Sequence, residues 1–166
     1  MDLLKESANT PLGKVIIVTH QHWLCSLDFE GYEERLERLL FKRFGAYRLS
    51  AASRSSEAHS RVLAYFQGEL DAFSGISLLM QGSPFQERVW RALGKITPGT
   101  TCSYKDIAIA IGKPKASRAV GSANGRNPIA LAVPCHRVIG AGAQLGGYAG
   151  GLSKKKWLIG HERKWA

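Results

Sequence analysis

A cysteine followed directly by a histidine is the feature of this chain with the clearest chemical potential. Cys135 and His136 stand between Pro134 and Arg137, after the apolar run 129–133. A thiol near an imidazole and a guanidinium forms thiolate more readily than the reference pKa of roughly 8.5 implies. Cys135 is therefore a candidate nucleophile for carbon, and His136 a candidate base, directly or through a water. A buried structural cysteine that happens to precede a histidine is the alternative.

The segment before Cys135 must hold the thiol in place. Residues 129–133 are apolar and predict a short buried strand or extended segment. Pro134 ends this run, so we expect Cys135 to be presented at its tip.

Two short helices are predicted upstream of this segment. Ser103 is a good N-cap for a helix that starts with Tyr104 and ends at Gly112. Lys113-Pro114 then opens a second helix over about residues 115–123. Two short helices joined by a tight glycine-containing turn predict a helix-turn-helix.

The second of these helices has an unusual composition. Beside Lys115, Val120 and Arg118, it contains only small residues, namely Ala116, Ser117, Ala119, Gly121, Ser122 and Ala123. It offers almost no long polar side chains to read base edges in a major groove. Small residues allow close approach to a narrow minor groove, where Arg118 would fill the gap left by an extruded nucleotide. A small-residue helix packed tightly in the core is the alternative.

The charge distribution divides the chain in two. Residues 1–82 hold nine Lys and Arg against ten Asp and Glu, whereas residues 83–166 hold fourteen against three. The break coincides with Gly82-Ser83-Pro84, where Ser83 and Gln86 predict a capping box. We therefore predict two domains, 1–81 and 82–166, with a polyanion as the partner of the basic one.

The first domain has an α/β pattern and the second a mostly helical one. Strands are predicted at 14–19, 23–29 and 75–80, and amphipathic helices at 32–44, 56–67 and 84–96.

Composition excludes several classes of protein. Apolar residues make up 45% of the 166 residues, which argues against global disorder. No apolar run approaches the roughly 20 residues of a membrane span, and the N-terminus does not have the layout of a signal peptide. Three widely spaced cysteines fit poorly with a disulfide framework. We expect a cytoplasmic protein, in a reducing compartment and without a membrane partner.

The motif Pro134-Cys135-His136-Arg137-Val138-Ile139-Gly140 resembles the active-site motif of the O6-alkylguanine-DNA alkyltransferases, also called methylated-DNA–protein-cysteine methyltransferases. Further blocks that resemble the family follow in family order: Pro84-Phe85-Gln86, Val89-Trp90, Ser103-Tyr104, Arg118-Ala119-Val120-Gly121, Asn127-Pro128, Gly147-Tyr148-Ala149-Gly150-Gly151-Leu152, Trp157-Leu158 and His161-Glu162. The resemblance is strong over residues 82–162, and Thr10-Pro11-Leu12-Gly13 resembles the family's usual opening. It implies a ribonuclease-H-like α/β N-terminal domain followed by a mostly α C-terminal domain with the helix-turn-helix.

The resemblance also implies a reaction and roles for individual residues. Cys135 would take the alkyl group from O6 of guanine, or also from O4-alkylthymine, irreversibly and once per molecule. His136 would be the base, through a water, and Glu162 would orient it, while Tyr104 would donate to the departing guanine. The DNA-binding residues would be the finger Arg118 with Ala116, Ser117, Ala119, Gly121 and Ser122. The residues of the guanine pocket would be Tyr104, Tyr148, Ala149 and Lys155. The carbonyls of Val133 and Cys135 would accept hydrogen bonds from the base amine. Asn127 would hold the turn between the second helix of the helix-turn-helix and the active-site segment.

Two positions differ from the residue usual in the family or affect the size of the alkyl group that the pocket accepts. Ala149 stands where many relatives have serine, which leaves only a backbone donor. Ala130 is expected to leave the pocket rim open to alkyl groups larger than methyl.

Other functions remain compatible with parts of the pattern. They are a non-catalytic alkylguanine-binding protein that flags damage, a helix-turn-helix regulator, and a cysteine hydrolase. The partner expected is double-stranded DNA containing O6-alkylguanine, bound by a monomer, with cooperative binding along DNA left open.

No cofactor is expected. Some relatives carry zinc in the N-terminal domain, and His20, His22 and Cys25 could suggest metal, but their spacing is not a standard zinc pattern. Surface histidines and a strand cysteine are the favoured interpretation.

Overall fold

The computed structural model describes residues 1–166, except for the side chain of Ala143. The chain forms two compact units, Met1–Gln81 and Gly82–Ala166.

The first unit is built on a four-stranded sheet in the order β3-β2-β1-β4. Its strands are β1 (Asp2–Thr10), β2 (Gly13–His20), β3 (Trp23–Phe29) and β4 (Arg48–Ala51). β1, β2 and β3 pair antiparallel through tight turns, whereas β4 pairs parallel with β1 after a crossover through α1 (Glu33–Phe44). The crossover is required because parallel neighbours cannot be joined by a hairpin.

Apolar side chains between α1 and the sheet form the core of this unit. Leu36 and Leu40 of α1 pack with Leu3, Val18 and Cys25 of the sheet. The second helix, α2 (Glu57–Phe66), begins at Ser56, whose side chain accepts a hydrogen bond from the His59 backbone. The strands predicted at 14–19 and 23–29 and both predicted helices of this half are therefore present, with ends within a residue or so of expectation.

The strand predicted at 75–80 is wrong. Only one isolated bridge joins Leu24 and Leu78 among the described residues. The guanidinium of Arg43 donates to the carbonyls of Leu79 and Met80. These hydrogen bonds satisfy carbonyls that a neighbouring strand would otherwise bind. β1 and β4 were not predicted from the sequence.

The second unit contains four helices and a two-stranded parallel sheet. The helices are α3 (Pro84–Leu93), α4 (Tyr104–Ala110), α5 (Ser117–Gly125) and α6 (Leu152–Trp165), and the strands are β5 (Cys102–Ser103) and β6 (Val138–Ile139). The predicted capping box is present at α3, where Ser83 accepts from the Gln86 backbone and Gln86 accepts from the Ser83 backbone. α3 ends at Leu93, one turn earlier than expected.

The helix-turn-helix consists of α4 and α5. A second capping box, between Ser103 and Asp106, starts α4, and Gly112 adopts φ +76° after it, a conformation that favours glycine. α5 begins at Ser117 rather than near residue 115, because residues 113–116 form the turn.

α3 is fixed on α5 by a buried hydrogen bond. Trp90, 2% exposed, donates from its indole Nε1 to the Ala123 carbonyl at 2.9 Å. The position of α5 therefore depends on this ring.

Replacing Trp90 by phenylalanine should lower the free energy of unfolding by about 1–3 kcal/mol, because the buried Ala123 carbonyl loses its donor. Denaturant unfolding measures the change. Trp165→Phe is the matched control, since Trp165 is 51% exposed and its replacement should change stability by roughly 0.5 kcal/mol or less. Equal losses in the two variants would contradict the assigned role of Trp90.

Candidate active site

Cys135 lies at the start of a short 3₁₀ helix, Cys135–Arg137, and is only 4% exposed. The preceding apolar run is buried as predicted, but it is not extended. It forms a turn in which the Val133 backbone donates to the Ile129 carbonyl at 3.0 Å, and Leu131 adopts φ +69°. The expected strand before Cys135 is therefore wrong, and a turn followed by a 3₁₀ helix presents the thiol instead.

Asn127 explains why this run turns. Its Nδ2 donates to the Val133 carbonyl at 2.7 Å, and its Oδ1 accepts from the Ile129 backbone at 3.0 Å. One side chain thus satisfies a buried donor and a buried acceptor that a strand partner would otherwise take. This geometry is the one expected of a residue that holds the turn.

A buried carboxylate lies behind the nucleophile. Glu162 of α6 accepts from His136 Nε2 at 2.7 Å, and from Nε and Nη2 of Arg137 at 2.7 and 2.9 Å. Arg137 also donates to the Ile96 carbonyl. His136 and Glu162 are 0% and 1% exposed.

The electrostatics of this cluster set its protonation state. Although burial alone would raise the pKa of Glu162, its hydrogen bonds and ion pairs to His136 and Arg137 lower it far below the ordinary value. Burial lowers the pKa of His136 below 6.5, against the opposing effect of Glu162. At neutral pH the carboxylate is therefore charged and the imidazole neutral. Since Nε2 is bound to Glu162, the remaining nitrogen Nδ1 is the basic one, and it has no partner among the described residues.

Lys155 is fully buried and donates from Nζ to the carbonyls of Val138 and Gly147, at 2.6 and 3.0 Å. It thereby ties the segment after Cys135 to the glycine-rich segment before α6. Burial lowers the pKa of its ammonium, and the nearby Cys135 acts in the opposite direction.

A cavity of about 360 Å³ opens beside Cys135. Its lining residues are Tyr104, Gly121, Asn124, Gly125, Cys135, Gly147, Tyr148 and Ala149. β5 pairs with β6 directly after the 3₁₀ helix, with Cys102 opposite Val138, and this pairing brings the start of α4, and so Tyr104, to the nucleophile.

The phenol of Tyr104 is a proton donor at neutral pH. Burial raises its pKa, the nearby Cys135 raises it further, and a hydrogen bond with the Gly147 backbone lowers it. A side chain added at Gly146 would stand 3.0 Å from the Tyr104 hydroxyl, and Gly146 has φ +67°, so glycine keeps this approach open.

The outer face of α5 is a surface of small side chains. Arg118, Ala119 and Ser122 are exposed, Ala116 is the N-cap and Ser117 the first residue of the helix, and Gly121 faces the cavity. Within the described residues, Arg118 is the only long side chain exposed on this helix. Arg126, which follows the helix as its C-cap, donates to Ser122.

The structure brings Tyr104, Cys135, Tyr148 and Ala149 together around the cavity, as expected, but three expectations need correction. The Val133 carbonyl already accepts from Asn127 and from the Cys135 backbone, and Val133 is not a lining residue, so it is not placed to receive a base amine. Ala130 is buried and does not line the cavity, so it does not open the rim. Lys155 contributes through the two backbone carbonyls rather than as a lining residue.

Sequence reasoning missed Asn124. It is 5% exposed, lines the cavity, and donates from Nδ2 to the Cys135 carbonyl at 3.4 Å. Its spacing from Val120 places it on the inward face of α5, and a polar residue on that face was the available signal.

The residues considered for zinc, His20, His22 and Cys25, have the following surroundings. His20 hydrogen-bonds the Asp2 carbonyl, and burial raises the pKa of the Cys25 thiol to about 11. Within the described part of the chain, no three His, Cys, Asp or Glu side chains are grouped to hold a metal ion.

None of the described helices combines the length and apolarity needed to cross a membrane.

Comparison with known proteins places this geometry in a family. The family described as "6-O-methylguanine DNA methyltransferase, DNA binding domain" matches residues 84–164, and "6-O-methylguanine DNA methyltransferase, ribonuclease-like domain" matches residues 3–80. The chain belongs to the O6-methylguanine-DNA methyltransferase family. This membership confirms the predicted ribonuclease-like N-terminal part and the DNA-binding C-terminal part.

Relatives of this family resemble the chain over nearly its whole length. A methylated-DNA–protein-cysteine methyltransferase of Salmonella typhimurium is 40% identical, covering 96% of this chain and 95% of its own. One from Mycobacterium leprae is 45% identical, covering 95% and 90%. The crystal structure of Mycobacterium tuberculosis OGT in complex with DNA superposes with a TM-score of 0.82 at 38% identity, covering 100% of this chain and 95% of that one.

Stability should fall as the pH drops below about 6.5, the ordinary pKa of histidine. Below that pH the unfolded chain binds a proton at His136 that the folded protein excludes. The contribution of His136 to the free energy of unfolding is therefore complete above that pH and is lost as the pH falls below it. The Glu162 contribution, present above the ordinary pKa of 4.5, is lost in turn at lower pH.

Unfolding free energies measured between neutral pH and about pH 5 test this expectation. The slope should shrink in His136→Gln and persist in His22→Gln, because His22 is exposed. An NMR titration that finds the His136 imidazole protonated above pH 6.5 would contradict the assignment.

Proposed function

We propose that this protein repairs DNA by direct reversal, moving an alkyl group from O6 of guanine onto Cys135. The observation that carries the proposal is the cavity beside Cys135, which has a phenol donor in its wall and a buried His136–Glu162 pair next to the nucleophile. The relatives named above as methylated-DNA–protein-cysteine methyltransferases support this activity.

The transfer is a displacement at the alkyl carbon. The Cys135 thiol gives its proton towards His136 Nδ1, through a water, and the thiolate attacks the carbon. The new S–C bond forms as the C–O6 bond breaks, and its electron pair leaves with the guanine. Tyr104 donates a proton to the departing base and is reprotonated, through water, by the proton that His136 took from the thiol, so the sum is one thioether and one guanine.

Glu162 acts by holding His136. Because it binds Nε2, it keeps the proton on that nitrogen and leaves Nδ1 as the acceptor, and it stabilises the imidazolium that forms. Lys155, close enough to Cys135 for their charges to interact, favours the thiolate.

The thioether explains why each molecule acts once. It resembles a methionine side chain, and none of the described residues around Cys135 is a group that could break its C–S bond. The chemistry also needs a reduced thiol, which supports a reducing compartment such as the cytoplasm.

DNA binding is assigned to α5 and the turn before it. Ala116, Ser117, Ala119, Gly121 and Ser122 allow close approach to the minor groove, and Arg118 enters the base stack in place of the flipped nucleotide. The excess of Lys and Arg in residues 83–166 supports binding to phosphates. The resemblance of the whole chain to OGT in complex with DNA supports the same partner.

Each alternative function requires a different set of side chains at the site from the set that is present. A damage-flagging protein needs no acceptor thiol, whereas Cys135 lines the cavity. A sequence-specific regulator needs long polar side chains on α5, and in the described residues that helix exposes only one, Arg118, with Arg126 just after its end. The first unit is proposed as the ribonuclease-like support, and residues 82–166 as the alkyl-transfer domain.

The first test is the intact mass of the protein after mixing with duplex DNA containing O6-methylguanine. We expect a stoichiometric gain of one methylene group, mapped to Cys135 by peptide analysis, and no gain in Cys135→Ser. Cys102→Ser is the matched control and should react like the wild type, since Cys102 is not a cavity residue. Lesion binding without a mass change would support the flagging function instead.

The second test separates base flipping from chemistry. Arg118→Ala should react with duplex DNA roughly tenfold more slowly or worse, because the extruded base is no longer replaced. Its rate with the free base O6-benzylguanine, where that base reacts, should equal that of the wild type. Arg163→Ala, a charge change near the end of α6, should leave the rate with duplex DNA much closer to that of the wild type. An equal loss with both substrates would show that Arg118 acts on the chemistry or the fold.

A further inference from the structure

Arg137 binds the same carboxylate as the proposed base, and the transfer described above gives it no role. Its Nε donates to Oε1 of Glu162 at 2.7 Å and its Nη2 donates to Oε2 at 2.9 Å. His136 Nε2 shares Oε2, at 2.7 Å. The guanidinium is 6% exposed as part of Arg137, and its Nη1 donates to the Ile96 carbonyl at 2.9 Å, which fixes its direction. The carboxylate is thus held by a forked cation and by the imidazole at the same time.

The charge of Arg137 determines how many protons this cluster holds. A guanidinium keeps its proton at any pH used with proteins. It balances the negative charge of Glu162, so the cluster is neutral without a proton on the imidazole. A neutral imidazole that donates from Nε2 has its lone pair on Nδ1, a buried atom without a hydrogen-bond partner among the described residues. That lone pair is the one that takes the Cys135 proton in the proposed transfer.

Without the guanidinium the pair of Glu162 and His136 would bind one more proton, because an uncompensated buried charge is costly. If the proton were on His136, both ring nitrogens would carry hydrogen. If it were on Glu162, the carboxylic acid would donate to Nε2, and the single imidazole hydrogen would move to Nδ1. In both arrangements Nδ1 carries a hydrogen. It could not accept the proton of Cys135 in either one.

The other charged groups around His136 do not replace Arg137. Burial lowers the pKa of His136 most, Glu162 raises it, and the charges of Arg137 and Lys155 lower it. Lys155 donates from Nζ to the carbonyls of Val138 and Gly147. Among the described ion pairs, the cation other than the imidazole that is assigned to Glu162 is Arg137.

We propose that Arg137 is a positioning residue, which acts through Glu162 to keep Nδ1 of His136 without hydrogen and so able to accept the proton of Cys135. The inference rests on the proposed alkyl transfer, because the proton concerned is the one that leaves the thiol. Its consequence is a wider pH range for the base. With Arg137 the base is available throughout the neutral range, whereas without it the base is available only at a pH high enough to remove the additional proton.

The test is the ratio of the wild-type rate to the Arg137→Gln rate, followed as a function of pH. Single-turnover rates are measured with a saturating amount of duplex DNA containing O6-methylguanine, between about pH 6.5 and pH 9. The ratio should be about tenfold or more near pH 7, and it should shrink towards the alkaline end as the additional proton leaves. Arg163→Gln is the matched control, because Arg163 follows Glu162 in the sequence, is exposed and carries the same charge. Its ratio should stay close to one throughout.

A structural role for Arg137 would give a different pattern. A loss of the same factor at every pH would mean that Arg137 only supports the fold, and it would overturn the proposal. Nitrogen NMR provides the second readout, because Nδ1 of His136 should be without hydrogen at neutral pH in the wild type and should carry one in Arg137→Gln. Arg137→Met is used if Arg137→Gln does not fold, since methionine is also uncharged and fills irregular space without an unpaired amide.

A double variant identifies the group that binds the additional proton. In Arg137→Gln/Glu162→Gln no carboxylate is left to compensate, and an amide oxygen can still accept from Nε2 of His136. The ratio of the wild-type rate to its rate should therefore be independent of pH. A ratio that still shrinks with rising pH would assign the titration to another group and would also overturn the proposal. Failure of the proposed function gives a separate result, namely no methyl transfer to Cys135 in the wild type.

Discussion

The carboxylate of Glu162 is buried in the second unit, and two consecutive residues, His136 and Arg137, bind it together. A buried charge is stable only when hydrogen-bonded partners replace water, and Arg137 supplies two of these bonds. Because Arg137 neutralises the carboxylate, His136 need not be protonated to do so. One ion pair therefore anchors the 3₁₀ helix that carries Cys135 to α6 and also leaves the imidazole neutral. His136, which is proposed as the base, is therefore neutral because its neighbour in the sequence carries the charge.

Two asparagines connect the Cys135 segment to α5 and hold the turn that precedes Cys135. Asn127 closes the turn before Cys135, and Asn124 holds the carbonyl of Cys135 from the helix. The helix that is assigned to the DNA groove and the residue assigned to the chemistry are thus joined directly by a hydrogen bond. The geometry explains how a flipped base would arrive already aligned with the thiol, which is the main requirement for a displacement at carbon.

Much of this arrangement could be predicted from the sequence, for identifiable physical reasons. Ser83 and Ser103 mark helix starts through local capping, and the helix periodicity and the Cys-His pair are local patterns too. The turn at 129–133 could not be predicted, because an apolar run has the same pattern whether it is extended or turned, and Asn127 decides between them. β4 is a short, mostly exposed edge strand, and β1 is rich in polar residues, so neither has a clear alternation. The contact of Asn124 with Cys135 depends on tertiary packing rather than on sequence spacing.

Burial of the Cys135 side chain has a consequence for the molecule after it has acted. The reactant is a small thiol that is 4% exposed, at the start of a 3₁₀ helix that follows a hydrogen-bonded turn. The product side chain is larger by the whole transferred group. The cavity beside Cys135 offers room on one side, but on the packed side extra volume is accommodated only by shifting the neighbours. The nearest of these neighbours include the turn and, through Asn124, α5. Any part of the transferred group that the cavity does not hold is therefore expected to strain the spent protein, and this strain lies next to the surface that is assigned to hold DNA.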